Sequence, residues 1–130
     1  MPIRSYRDLI VWREAMGLMT ESYRLAQLLP VIEKFGMASQ IRRAALSIPA
    51  NIAEGHGRRG RAEFLHHLSI AEGSLRELQT LLEAAIAIRH LEHAELDEAF
   101  SRSNRVGFLL TRLQHRLRAP RSPSTVLDRP

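Results

Sequence analysis

The chain has 130 residues, 45% hydrophobic and 25% charged, which suits one domain with a buried core and excludes a disordered polymer. It contains no cysteine, so disulfides, thiolate metal ligands and a thiol nucleophile are excluded. The formal charge of +5 is one-ended: seven arginines between Ala99 and Pro130 face Asp128 alone, while the remainder of the chain sums to −1.

Such asymmetry favours a polyanionic partner, although an arginine-rich helix face can also be merely solvated. The opening Met1-Pro2-Ile3-Arg4 lacks the apolar stretch of a signal peptide, and no run reaches membrane-spanning length. A cytoplasmic location and no membrane partner are therefore expected.

Four helices are predicted from hydrophobic periodicity, with almost no strand signal. The first starts at Ser5, where Asp8 completes a capping box, and stops at Pro30. It carries two apolar seams. Leu9, Trp12, Met16, Met19, Tyr23 and Ala26 form one; Val11, Ala15, Leu18, Leu25 and Leu29 form the other, interrupted by Ser22. One seam suffices for a lone bundle, so the second is expected to meet another subunit.

The second helix spans about Glu33 to Glu54, with Gly36 as a break near its start. Met37, Ile41, Ala45, Ile48 and Ile52 keep helical phase through Pro49, which predicts a kinked helix rather than two pieces. The Ala45 carbonyl freed by Pro49 then needs another donor, from Ser47 or Asn51. Gly55, Gly57 and Gly60 enclose a basic connector with His56, Arg58, Arg59 and Arg61.

A long third helix runs to about His90 on the seam Phe64, Leu68, Ala71, Leu75, Leu78, Leu82 and Ala85. Gly73 and Ser74 in its middle suggest close approach of another backbone. The fourth helix starts between His93 and Leu96 and ends near Arg118, with Arg102, Arg105, Arg112 and Arg116 within about a quarter turn of one another. Residues 119–130 read as a disordered tail rich in proline, arginine and serine. Short connections make the expected fold an all-α, antiparallel up-down-up-down four-helix bundle over residues 1–118.

Several stretches carry a resemblance. They are Tyr6-Arg7-Asp8-Leu9-Ile10-Val11-Trp12, then Ser39-Gln40-Ile41-Arg42-Arg43-Ala44-Ala45 leading into Ser47-Ile48-Pro49-Ala50-Asn51-Ile52-Ala53-Glu54-Gly55, and finally Glu63-Phe64-Leu65 with Ile70-Ala71-Glu72-Gly73-Ser74-Leu75-Arg76-Glu77-Leu78. Together they resemble the bacterial four-helix-bundle proteins encoded in intervening sequences of 23S ribosomal RNA genes. Gln79 is a departure, where the family more often carries glutamate. The resemblance implies a closed homopentamer. It also implies kinship with the accessory proteins of diversity-generating retroelements, which engage a reverse transcriptase and nucleic acid, so a reverse transcriptase or a ribosomal component is an expected partner.

Two candidate surfaces follow. An oligomer interface is predicted at Val11, Ala15, Leu18 and Leu25 of the second seam and at Arg43, Ser47, Pro49, Asn51 and Glu54 of the second helix, where the resemblance supports a polar subunit contact; a solvated stripe is the plainer reading. A nucleic-acid backbone surface is predicted at Arg58, Arg59, Arg61, Arg102, Arg105, Arg112, Arg116 and Arg118, because guanidinium forks pair bidentately with phosphate. Aromatic residues are 5% of the chain and mostly lie in core seams, so base stacking is not expected.

Enzyme-like patterns are weak. Glu63-x-x-His66 has di-metal spacing but no second pair; Arg61 and His66 faintly resemble the catalytic pair of a helical ribonuclease, but with eighteen arginines and six histidines such spacings arise by chance. No cofactor or metal is expected. The function expected is a non-catalytic, nucleic-acid-binding accessory or assembly factor. A structural adaptor for an acidic protein and, less favoured, a ribonuclease are the alternatives.

Overall fold

The computed structural model describes residues 3–120. Four α-helices carry the fold: α1 (Ile10–Leu28), α2 (Met37–His56), α3 (Arg61–Ala87) and α4 (Asp97–Arg118). Packing runs round a ring, α1 on α2, α2 on α3, α3 on α4 and α4 back on α1, the arrangement of an antiparallel bundle with short connections. The expected tail lies, from residue 121, outside the described residues; Ala119 already leaves α4 in extended conformation.

Local chemistry sets the boundaries. The Ser5–Asp8 capping box forms, with Ser5 Oγ accepting from the Arg7 N–H at 3.1 Å and Asp8 Oδ2 accepting from the Ser5 N–H at 3.3 Å, and from the Arg4 N–H at 2.8 Å besides. It caps a single 3-10 turn, Tyr6–Asp8, rather than the long helix; Leu9 is extended, and α1 begins only at Ile10. Gly36 breaks the chain between a 3-10 turn, Val31–Glu33, and α2. Glu33 then ties this corner together: its carboxylate accepts from the Met37 N–H at 3.2 Å and lies 3.0 Å from His90 Nε2 in the α3–α4 connector.

The core corrects the expected role of the second seam on α1. Val11, Ala15, Leu18 and Leu25 are only 0–4% exposed within this one protomer, packed with Ile41, Ile48 and Ile52 of α2, Leu68, Leu75, Leu78 and Leu82 of α3, and Leu96, Val106 and Leu110 of α4. They therefore cannot form a subunit contact. Trp12, Met16, Met19 and Tyr23 of the other seam are the half-buried ones. Both seams point at neighbours, one at the bundle axis and one beside it, because α1 is flanked by α2 and α4.

Continuity of α2 through Pro49 holds, and Pro49 itself is buried inside the protomer rather than at an outer contact. Asn51 Nδ2 donates to the Ser47 carbonyl at 2.9 Å, so the carbonyl it serves is that of Ser47 and not, as expected, that of Ala45.

Close backbone approach occurs at Gly55, not Gly73. Gly55 lies within α2 rather than in the connector, and a Cβ there would fall 2.6 Å from His67 Cβ and 3.3 Å from the Phe64 carbonyl oxygen of α3. Gly73 faces open space.

Candidate nucleic-acid interface

Alternating helix direction gathers segments that are far apart in sequence. The turn before α1, the α2–α3 connector and the last turns of α4 share one end of the bundle. Over residues 4–13, 54–66 and 112–118 that end carries nine arginines and three carboxylates, Asp8, Glu54 and Glu63. The opposite end, residues 28–37 and 83–98, carries six carboxylates against Lys34 and Arg89. The molecule is thus electrically polar along its long axis.

Arg4, Arg7 and Arg13 join this basic end and were not singled out from sequence, since they stand beyond the C-terminal charge run. Arg7 stacks over the Tyr6 ring, 4.7 Å from its centroid, and Arg13 Nε donates to the Arg7 carbonyl at 2.9 Å. The connector contributes Arg58, Arg59 and Arg61, all exposed. Next to them α3 starts at Gly60 without a side-chain cap, so its first N–H groups add a positive dipole end.

The predicted arginine row on α4 divides in two. Arg102 lies across Gly17 of α1, with its Nε 2.9 Å from Glu98 Oε2. Arg105 Nε is 3.1 Å from Glu14 Oε1 of α1. Both are partly neutralised. Arg58 is paired too, 2.7 Å from Glu54. Hydrogen bonding in that pair holds Glu54 below the usual carboxylate range and raises Arg58. Arg59, Arg61, Arg112, Arg116 and Arg118 are exposed and have no carboxylate partner among the described residues. His115, Arg116 and Arg118 also sit at the negative end of the α4 dipole, a structural role worth about 0.3–1 kcal/mol each.

The polar stripe of α2 turns toward α3. Ser47 Oγ is 2.8 Å from Ser74 Oγ, Asn51 Nδ2 donates to Ser47 Oγ at 3.0 Å, and Asn51 Oδ1 is 3.2 Å from Nδ1 of the buried His67. Ser47 and Asn51 thus join two helices of one protomer. Arg43 remains exposed and lines, with Gln40, Ser47, Ser74 and Glu77, an α2–α3 surface groove of about 450 Å³.

Glu63, His66 and Arg61 are exposed at the start of α3. Among the described residues no three His, Asp or Glu side chains converge as metal ligands, and no helix is long and apolar enough to cross a membrane.

The model of the family described as 23S rRNA-intervening sequence protein matches residues 7–112. Among solved structures, the chain is similar to a protein of unknown function from the S23 ribosomal protein family of Bacteroides thetaiotaomicron. That likeness has 26% identity and a TM-score of 0.75, covering 81% of this chain and 98% of that one. No curated protein matches. The match over Arg7 to Arg112, from the first turn into the fourth helix of the bundle just described, means that the chain belongs to the 23S rRNA-intervening sequence protein family.

Proposed function

We propose that this protein is a non-catalytic, homo-oligomeric bundle that binds nucleic-acid backbone through its basic end. The observation that carries the reading is the convergence of nine arginines from three chain segments on one end, five of the predicted ones without a carboxylate partner among the described residues. Surface guanidinium groups of this kind contact phosphates irrespective of sequence, and their binding weakens steeply with salt. The family description ties these proteins to 23S rRNA intervening sequences, which makes RNA the first polyanion to test.

Oligomerisation, as a pentamer or another closed ring, would align several basic ends. The support is on the outer face of α2 and α3. Leu46 and Ile70 are 48% and 40% exposed there, Gly73 is open, and Arg43 and Glu77 flank the groove without ion-pair partners among the described residues. Titrating labelled RNA over a salt series tests binding, and light scattering at micromolar concentration tests assembly. Salt-independent or absent binding would refute the first part, a monomer the second.

A protein–protein adaptor is the second reading, favoured by Val31, Ile32 and Phe35 at 86–88% exposure. This tip lies at the carboxylate-rich end, so a partner docking there would be basic rather than acidic. Replacing Phe35 by Asp tests this reading: a basic protein docking at the tip should lose affinity while assembly and RNA binding stay unchanged, and an unchanged affinity for that protein would refute it.

A further inference from the structure

Phe108 is an exception to the expectation that the aromatic side chains mostly lie in core seams. It stands 61% exposed in the middle of α4 and forms one wall of an α3–α4 groove of about 270 Å³. The floor of that groove is low because α4 presents Ser103 and Gly107 to α3; a Cβ at Gly107 would already touch Leu75 Cδ2 at 3.4 Å. Around the ring stand Arg76 and Gln79 from α3 and Asn104 and Thr111 from α4, with Glu72 as the sole acid of the lining. Gln79 Nε2 donates to Ser103 Oγ at 3.2 Å, which fixes its amide and leaves its Oε1 without a partner among the described residues.

An exposed ring is by itself ordinary, and a solvated phenylalanine is costly only by its area. Here, however, it is flanked by cations and amides. Arg112 follows one turn after Phe108, and Arg116 one turn further, so a continuous basic track of roughly 12 Å leads from the groove to the basic end of the bundle. Neither Arg76 nor Arg112 has a carboxylate partner among the described residues. A flat aromatic face, amides that match base edges and a line of arginines at phosphate reach together describe a stacking platform beside a backbone track.

We infer that the α3–α4 groove receives an unpaired base of a single-stranded nucleic acid, stacked on Phe108, while Arg112 and Arg116 hold the adjoining phosphates. This rests on the backbone-binding reading above and deepens it, because it selects single strands over duplexes. A base inside a duplex cannot present its face to Phe108, whereas its phosphates can still meet the arginines.

The test compares Phe108→Ala, Phe108→Tyr and wild type for binding to a twelve-nucleotide oligo-U, the matching oligo-dT and a duplex RNA of equal length. The inference expects Phe108→Ala to weaken both single strands roughly 5- to 100-fold, Phe108→Tyr to retain them, and duplex affinity to stay unchanged. The oligo-U and oligo-dT arms distinguish RNA from DNA as the source of the base. Equal affinity of Phe108→Ala and wild type for single strands overturns the inference and leaves backbone binding standing; so does an equal loss on single strand and duplex. A change of molar mass in Phe108→Ala overturns it as well and makes Phe108 a subunit contact. If wild type binds none of the three probes, the backbone reading fails too.

Discussion

Arg105 of α4 crosses to α1 and pairs with Glu14, its Nε 3.1 Å from the carboxylate, while Arg112, two turns further along the same helix, has no such partner among the described residues. One helix face therefore contains two kinds of arginine. The first two, Arg102 and Arg105, brace α4 with nearby carboxylates. The last ones pair with no acid among the described residues: the start of α1 carries Arg13, the turn before it Arg4 and Arg7, and Asp8 of that turn is held by the Arg4 and Ser5 N–H groups.

Arg112→Ala with Arg116→Ala should therefore weaken RNA binding uniformly across sequences. If each side chain meets one phosphate, the slope of log affinity against log salt should fall by about 0.7 per arginine on single strands. Arg102→Ala with Arg105→Ala should change the slope less, since each already faces a carboxylate. Salt-series fluorescence anisotropy measures both. Equal slopes for the two double variants would contradict the division of the row.

Gly55 and Gly73 should respond oppositely to alanine. At Gly55 the new Cβ would meet His67 Cβ and the Phe64 carbonyl, backbone and side-chain root that cannot swing away, so Gly55→Ala should destabilise by about 1–3 kcal/mol. Gly73 lies mid-helix facing open space, and Gly73→Ala should stabilise a protomer by about 0.5–1 kcal/mol. Urea denaturation measures both. A loss of assembly in Gly73→Ala, with the protomer itself more stable, would locate a subunit contact on that face.

Asn51 links Ser47 to His67 across α2 and α3. Asn51→Ala leaves the His67 Nδ1 side without its partner in a largely buried place, and a loss of about 1–3 kcal/mol is expected in urea denaturation. Asn51→Asp preserves the acceptor toward His67 but removes the donor to the Ser47 carbonyl, so its loss should be smaller than that of the alanine variant. An unchanged midpoint for Asn51→Ala would show that the network is dispensable.

Acid should weaken the fold through Glu21. This carboxylate is 7% exposed, and its hydrogen bonds with Arg24 lower its pKa. A group lowered in the folded state contributes stability that is present above its unfolded value, about 4.3, and lost as pH falls through the folded value. The melting temperature should drop below about pH 4, and Glu21→Gln should be less stable at neutral pH with a shallower acid limb. Thermal melts by circular dichroism from pH 7 to pH 2.5 check this; parallel limbs in both proteins would remove Glu21 as a cause.

The amino-acid sequence alone determined the four helices, their order and most of their ends, because these follow from short-range rules. Apolar spacing, Gly36 and the glycines around the basic connector all act within a few residues of one another, whereas the equally local Ser5–Asp8 box capped a 3-10 turn and placed the start of α1 too early. The string around Pro49 carried enough specific identity to suggest the family.

Tertiary structure decided which of two equally apolar seams on α1 faces the core, since Val11, Ala15, Leu18 and Leu25 acquire that role only when α2, α3 and α4 surround them. It also decided which arginines find a carboxylate across helices, which glycine takes a neighbouring helix, and that Phe108 is left outside. Each of these depends on distances between residues tens of positions apart, and helical periodicity reports the direction of a side chain about its own axis but not what another helix places in front of it.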